Sequence, residues 1–302
     1  MAAGATGSNS RSSSESSMSD YDLTKMQKMH RQFKQYLWII PLLAVLFILL
    51  NLIIGYAYLT TNEMIEPIWP YPSDLGSSKP YASYFTEFIT IISFLCKYKF
   101  IEYNNNIDFI ITTYCRYKQI SLYLISGFEK ETNNNKHAKK ILVKLQKRNF
   151  CSFLLNFILI FAAITMGSFR MSEHFIIHWI ALSIFIIFTI VYMFIMCHLS
   201  RKLYDYGEIE TKPITMYISA IIFTIAAIVS IIAGIVSITQ LKSSDDIMNN
   251  RLRLFWLSNM DGYDWHLVST ISQWIGIIMY IPFLCSISRR MRLFHGWNQI
   301  MF

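Results

Sequence analysis

Five runs of apolar residues, at 37–59, 151–167, 175–197, 214–238 and 266–286, approach the length a helix needs to cross a bilayer, about 20 residues. A sixth, less regular candidate lies between Tyr81 and Cys115. These runs constrain the fold more than any other feature. Hydrocarbon offers the backbone no water, so each run has to satisfy its own N–H and C=O groups as a helix. The composition agrees: 54% hydrophobic, 16% aromatic and only 15% charged in 302 residues lies outside the range of a soluble domain. The first run is too long for a signal-peptide core and has no small-residue cleavage site after it, so it is expected to stay as the first helix.

The net charge of +8 is distributed as a topology signal rather than as a nucleic-acid footprint, because no separate basic domain exists. With a cytoplasmic amino terminus and six spans, 20 Lys and Arg fall on the side of the termini and five (Lys79, Arg170, Lys242, Arg251 and Arg253) on the other, leaving Lys97 and Lys99 unplaced. The positive-inside rule then sets both termini in the cytoplasm. The expected fold is all-α, a polytopic six-helix transmembrane bundle. Residues 1–35 form a disordered, basic cytoplasmic tail, 36–286 the six-span domain and 287–302 a basic cytoplasmic tail.

The second span is the difficult one. YASYFTEFITIISFLC is followed by KYKFIEYNNNIDF and only then by IITTYCRYKQI. A single helix from Tyr81 to Cys115 would bury Lys97, Lys99, Glu102 and Asp108, at about 2.5–3.5 kcal/mol each at the bilayer centre, and the apolar residues cannot offset that. Yet without a crossing here the loop from Arg116 to Arg148 would face the wrong side. Two solutions stay open: a short span over 81–96 with Lys97 and Lys99 snorkelling, or an irregular 81–115 in which 97–107 is an insertion.

All five cysteines lie in or beside apolar runs, which speaks against a disulfide framework. No phosphate loop, HExxH, CxxC pair or nucleophile elbow is present, so no metal site or cofactor is expected. Asp74, His178, Asp261 and His266 all fall at the outer membrane boundary, and two roles are open to them. They form either a structural polar cluster joining helix ends or the acid, base and ligand groups of a lipid-modifying enzyme. Enzymatic activity therefore stays undecided at this stage, with the structural role favoured.

Within the stretch WLSNMDGYDWHLVSTISQW at 256–274, helical spacing puts His266, Thr270, Gln273, Ile277 and Tyr280 on one face. Thr270 and Gln273, together with Tyr192 on the fourth span, are the expected polar groups of the bundle interior. Ala226, Ser230, Ala233, Gly234 and Ser237 form a stripe of small residues suited to close helix packing. In the basic loop Lys136, Lys139, Lys140, Lys144, Lys147 and Arg148 are candidates for contact with anionic headgroups or a cytoplasmic protein partner. Membrane lipids are the expected partners; nucleic acid is not.

Four stretches together resemble the damage-regulated autophagy modulator (DRAM) family, within a wider six-span group that includes Frag-like and Sfk-like proteins. They are PYPSDLGSSKP at 70–80, CRYKQI at 115–120, MGSFR leading to His178 and then Tyr192, and DGYDWHLVSTISQW at 261–274. Two positions depart from the family pattern: an acidic residue expected just after the outer proline is Tyr81, and one expected before the last tryptophan is Gln273. The resemblance implies an integral protein of the lysosomal or endosomal membrane that modulates autophagy without an agreed enzymatic activity. Other members of the wider group imply plasma-membrane or Golgi proteins that handle lipids.

Overall fold

The computed structural model describes residues 36–95, 111–131, 136–207, 211–241, 254–294 and 296. The expected disordered tail at 1–35 and the polar run 97–107 lie outside the described residues. The described chain is all-helical, with seven α-helices and no strand: α1 (Ile39–Thr61), α2 (Tyr81–Leu95), α3 (Ile111–Glu131), α4 (Lys136–Ser168), α5 (Phe175–Asp205), α6 (Ile214–Thr239) and α7 (Tyr263–Arg292). Five of them, α1, α4, α5, α6 and α7, are long and apolar enough to cross a membrane.

Packing joins the helices into a closed ring in the order α1, α2, α4, α5, α6, α7 and back to α1. Neighbours run up and down: Tyr81 of α2 meets Asn51 and Gly55 of α1, while Phe88 seven residues on meets Phe47. The stripe of small residues on α6 is buried, and α7 packs along this helix. With 15 residues, α2 is about 22 Å long, short of the ~30 Å hydrocarbon thickness, yet it fills a full place in the ring. By contrast α4, at 33 residues, is about 50 Å long. Its first turns extend past the ring and pack against α3, where the Asn149 amide donates to the Tyr117 carbonyl (2.8 Å).

The bundle has two chemically different ends. One, the aromatic end, gathers the 62–80 loop, the α4–α5 turn and the approach to α7, with Trp69, Tyr71, Trp256 and Trp265. The other, the basic end, gathers Arg116, Arg148, Arg201, Arg289, Arg290 and Arg292. Each end has a core. Leu52, Leu59, Ile65, Leu75, Tyr81 and Phe85 pack at the aromatic end, and a larger cluster including Phe128, Met196, Leu203 and Phe283 fills the other.

Helix limits follow local chemistry. Pro67, Pro70 and Pro72 lack the N–H a helix needs, so the chain leaves α1 into a folded loop closed by a single 3-10 turn at Asp74–Gly76. Gly262 has φ 77°, the left-handed region open mainly to glycine, and starts α7 beside α6. A Cβ there would collide with the Ser237 carbonyl oxygen, so Gly262 also sets how closely the two helix ends meet. Gly262→Ala should therefore lose more than the roughly 1–2 kcal/mol that a left-handed backbone costs an ordinary residue. Gly207→Ala, at φ 71° with open space around its Cβ, should lose only that amount. Thermal melting in detergent micelles checks this; equal melting temperatures would remove the proposed close approach.

Candidate functional site

At the aromatic end, the loop after α1 is drawn over the bundle by three anchors. Trp274 of α7 donates from Nε1 to the Pro70 carbonyl (2.9 Å), the Tyr56 hydroxyl donates to the Pro67 carbonyl (2.7 Å), and the Tyr71 hydroxyl donates to Ser269 Oγ (3.0 Å). Ser269 in turn donates to the Ser230 carbonyl of α6 (2.8 Å). One phenol thus connects the loop, α7 and α6 in a single chain of bonds.

His266 lies one helical turn before Ser269, between two aromatic rings. Trp256 stacks on it at 4.4 Å with 19° between the planes, and Tyr71 meets it edge-on at 4.8 Å. The imidazole is 5% exposed, and its Nδ1 is buried with no hydrogen-bond partner among the described residues. Trp256 is held by its Nε1, which donates to the main-chain carbonyl of Asp261 (3.2 Å). Asp74, 1% exposed in the 3-10 turn, acts electrostatically on Tyr71.

The four expected polar groups are therefore assembled through loops. Asp74 and His266 share Tyr71 as a neighbour. Asp261 enters through its main chain while its residue stays exposed. His178, 2% exposed, is placed by different contacts: Nδ1 lies 2.9 Å from the Phe169 carbonyl and 3.1 Å from the Met166 carbonyl, which requires the hydrogen on that nitrogen. It ties the start of α5 to the end of α4. The α4–α5 turn then reaches the 71–77 loop through Ser172, whose hydroxyl donates to the Ser77 carbonyl (2.9 Å), and through Ser73 and Met171. Among the described residues no group of three or more His, Cys, Asp or Glu is arranged to hold a metal ion.

Beside this network, between α5 and α6, lies a cavity of about 150 Å³. Phe175, Leu182, Ile186, Ile231 and Ile238 make its lining mostly apolar, and Tyr71, Ser73, Ser183, Ser230, Ser269 and Gln273 add polar groups to it. Ile187 and Ile231 on its rim are also exposed on the outer surface of the bundle, so the cavity reaches the face that hydrocarbon would cover. Its size suits a segment of chain or ring rather than a whole drug-sized ligand.

Elsewhere in the bundle, Thr270 is buried with its hydroxyl on the Leu267 carbonyl (2.9 Å), and Tyr192 packs against the Phe283 ring at 6.1 Å. Lys136, Lys139, Lys140, Lys144 and Lys147 are exposed on the protruding part of α4, whereas Arg148 is half-buried and donates to His198 Nε2 (2.5 Å). The sequence reading left out Tyr71, Trp256, Ser269 and Trp274 as site residues. Tyr71 stands in the PYPSDLGSSKP stretch, but its hydrogen-bond partner is 198 positions away. Arg116 and Gln119 stand in the CRYKQI stretch and Arg290 in the basic tail, but none was expected as a site residue, because spacing does not show which basic residues are buried.

The pattern of the family described as Frag1/DRAM/Sfk1/Cwh43P N-terminal domain matches residues 36–290, which takes in every residue of the aromatic-end network and the cavity. No curated protein and no solved structure matches the chain.

Burial pushes the Tyr71 phenol up to about 12, with Asp74 adding to the rise and the Ser269 bond opposing it. Tyr71 is thus a neutral donor at every physiological pH. A folded-state pKa raised above the unfolded value of ~10 contributes stability that is complete below ~10 and lost as pH climbs toward 12. Tyr71→Phe keeps the ring against His266 but removes the titrating group, so between pH 10 and 12 the variant should lose less stability than the wild type. At pH 7 it should be less stable by about 0.5–1.5 kcal/mol, the value of one hydrogen bond. Melting curves of the two proteins across pH 7–12 decide; parallel curves would exclude Tyr71 as a titrating group.

Proposed function

The chain belongs to the Frag1/DRAM/Sfk1/Cwh43P family, and we propose that it acts as a DRAM-like modulator of autophagy at the lysosomal membrane, through lipid or protein contacts and without catalysis. The observation that carries this reading is the cavity between α5 and α6. Its mostly apolar lining, its few polar groups and its rim on the hydrocarbon-facing surface suit part of a membrane lipid, which combines apolar and polar chemistry. The lysosomal part of the proposal rests on the DRAM-like stretches at 70–80, 115–120 and 261–274.

Six spans and two cytoplasmic termini complete the proposal. The place of α2 in the ring supports a sixth crossing despite its 15 residues, and the bias of Lys and Arg toward the basic end supports the orientation. In that arrangement the exposed lysines of α4 project from the membrane as a stripe, since Lys136, Lys140, Lys144 and Lys147 follow helical spacing. They are suited to anionic headgroups or an acidic protein surface. A tag inserted at 132–135 should be reachable from the cytoplasm; a luminal tag would reverse the orientation.

A second reading is favoured by one observation. His266 Nδ1 is buried, has no hydrogen-bond partner among the described residues and lies next to Tyr71, which lines the cavity, so a lipid-modifying reaction could use His266 as a base with Asp74, His178 and Asp261 as supporting groups. Rescue of cells lacking the protein separates the two. Ser183→Phe, which fills the cavity from α5, should reduce autophagic flux severalfold at unchanged abundance, and a stably expressed His178→Ala/His266→Ala protein should sustain it. Loss of flux in the histidine variant alone, at equal abundance, would favour the enzyme. Staining at the plasma membrane or Golgi instead of the lysosome would remove the compartment from the proposal.

A further inference from the structure

At the basic end, two arginines from helices far apart in sequence are buried together. Arg116 of α3 is 5% exposed and Arg290 of α7 is 4% exposed. Gln119 links them: Arg116 Nη1 donates to its Oε1 (2.7 Å), and its Nε2 donates to the Arg290 main-chain carbonyl (2.9 Å). Arg290 Nη2 donates to the Thr211 carbonyl before α6 (3.1 Å). Arg116 also feels the Arg290 charge. Three donors are left over: Nε and Nη2 of Arg116 and Nη1 of Arg290 are buried without a hydrogen-bond partner among the described residues.

Guanidinium groups stay charged, so burial cannot be relieved by losing a proton. Two like charges with unused donors in a low-dielectric site require a counter-charge. The described ion pairs engage Arg170, Arg201 and Lys202, and none of them supplies a carboxylate to Arg116 or Arg290. A neutral acceptor such as water would fill the donors but not the charge. An anion with several oxygens would do both, and phosphate matches the forked N–H pattern of arginine.

We propose that Arg116 and Arg290 form a buried anion site whose occupant is a phosphate group, carried either by a lipid headgroup or by a soluble phosphate. Gln119 is its positioning residue, since it fixes Arg116 and reaches Arg290 only through the main chain. The site joins α3, α7 and the segment before α6, so its occupant clamps three elements at the basic end. It is separate from the cavity at the aromatic end and does not depend on the autophagy reading.

The test uses the full chain in dodecyl maltoside micelles, which carry no phosphate, with dioctanoyl phosphatidic acid, inorganic phosphate and dioctanoylglycerol as probes. The readouts are the melting temperature and the bound mass in native mass spectrometry. Phosphatidic acid is expected to raise the melting temperature saturably and to be retained as one equivalent, while dioctanoylglycerol has no effect. A saturable effect of inorganic phosphate alone would identify a soluble source, and one of phosphatidic acid alone a lipid. Arg116→Gln and Arg290→Gln should each weaken binding at least tenfold, whereas Arg289→Gln, which removes the exposed neighbouring charge, should stay within threefold. Arg290→Lys serves where the glutamine variant does not fold, and should weaken binding because a point charge replaces the fork. Equal stabilisation by dioctanoylglycerol, unchanged binding in the Arg116 and Arg290 variants, or no saturable effect of either phosphate on the wild type would overturn the proposal.

Discussion

Hydrocarbon leaves each helix to satisfy its own backbone, so helices in such a bundle recognise one another through the few side-chain bonds that cross between them. Here those bonds follow the ring. The Tyr81 hydroxyl donates to the Asn51 carbonyl oxygens between α2 and α1, Thr86 donates to the Gly167 carbonyl between α2 and α4 (2.7 Å), and Ser269 donates to the Ser230 carbonyl between α7 and α6. The Ser288 hydroxyl donates to the Trp38 carbonyl and closes α7 onto α1 (2.5 Å). All four donors are hydroxyls, and the three on Ser and Thr add little volume and let the backbones approach. Glycines at the contacts serve the same end. Gly55 leaves room for the Tyr81 ring, and Gly234 sits against Ser269.

The two ends of the ring solve the same problem with different chemistry. The aromatic end is held mostly by neutral donors on main-chain carbonyls: indoles, phenols and serines pinning a proline-rich loop whose own N–H groups are depleted. At the basic end the charges themselves are packed. Arg292 lies over the Trp38 ring at 5.0 Å, Arg148 donates to His198, and Arg116 with Arg290 is buried outright. An apolar cavity belongs to the first environment and buried arginine donors to the second.

Hydropathy made the five long helices legible, because a run of about 20 apolar residues has one low-energy solution in a bilayer. The same signal left two solutions open over Tyr81–Cys115, where the described residues form a 15-residue helix and the start of a second helix that packs beside α4. Periodicity gave faces but not partners. It put His266, Thr270 and Gln273 on one side of α7, yet it could not say that Trp256 and Tyr71 would enclose His266, since both come from irregular loops. Pairings such as Gln119 with Arg290, 171 positions apart, are set by how helices pack and leave no trace in spacing.

The two departures from the DRAM-like pattern gain a physical sense from their surroundings. At position 81 a carboxylate would sit against α1 with its charge facing the Asn51 carbonyl oxygens; the Tyr81 phenol instead donates to both the main-chain and side-chain oxygens of that residue. At position 273 a carboxylate would put a charge on the wall of a largely apolar cavity, which is costly in low dielectric without a partner. The Gln273 amide can donate and accept there while staying neutral. Both residues can hydrogen-bond at these positions without carrying a negative charge. Asp74 is the buried acid that stays in this network, and its neighbour Tyr71 is held neutral far above physiological pH, so its phenol serves as a fixed donor rather than as a carrier of protons.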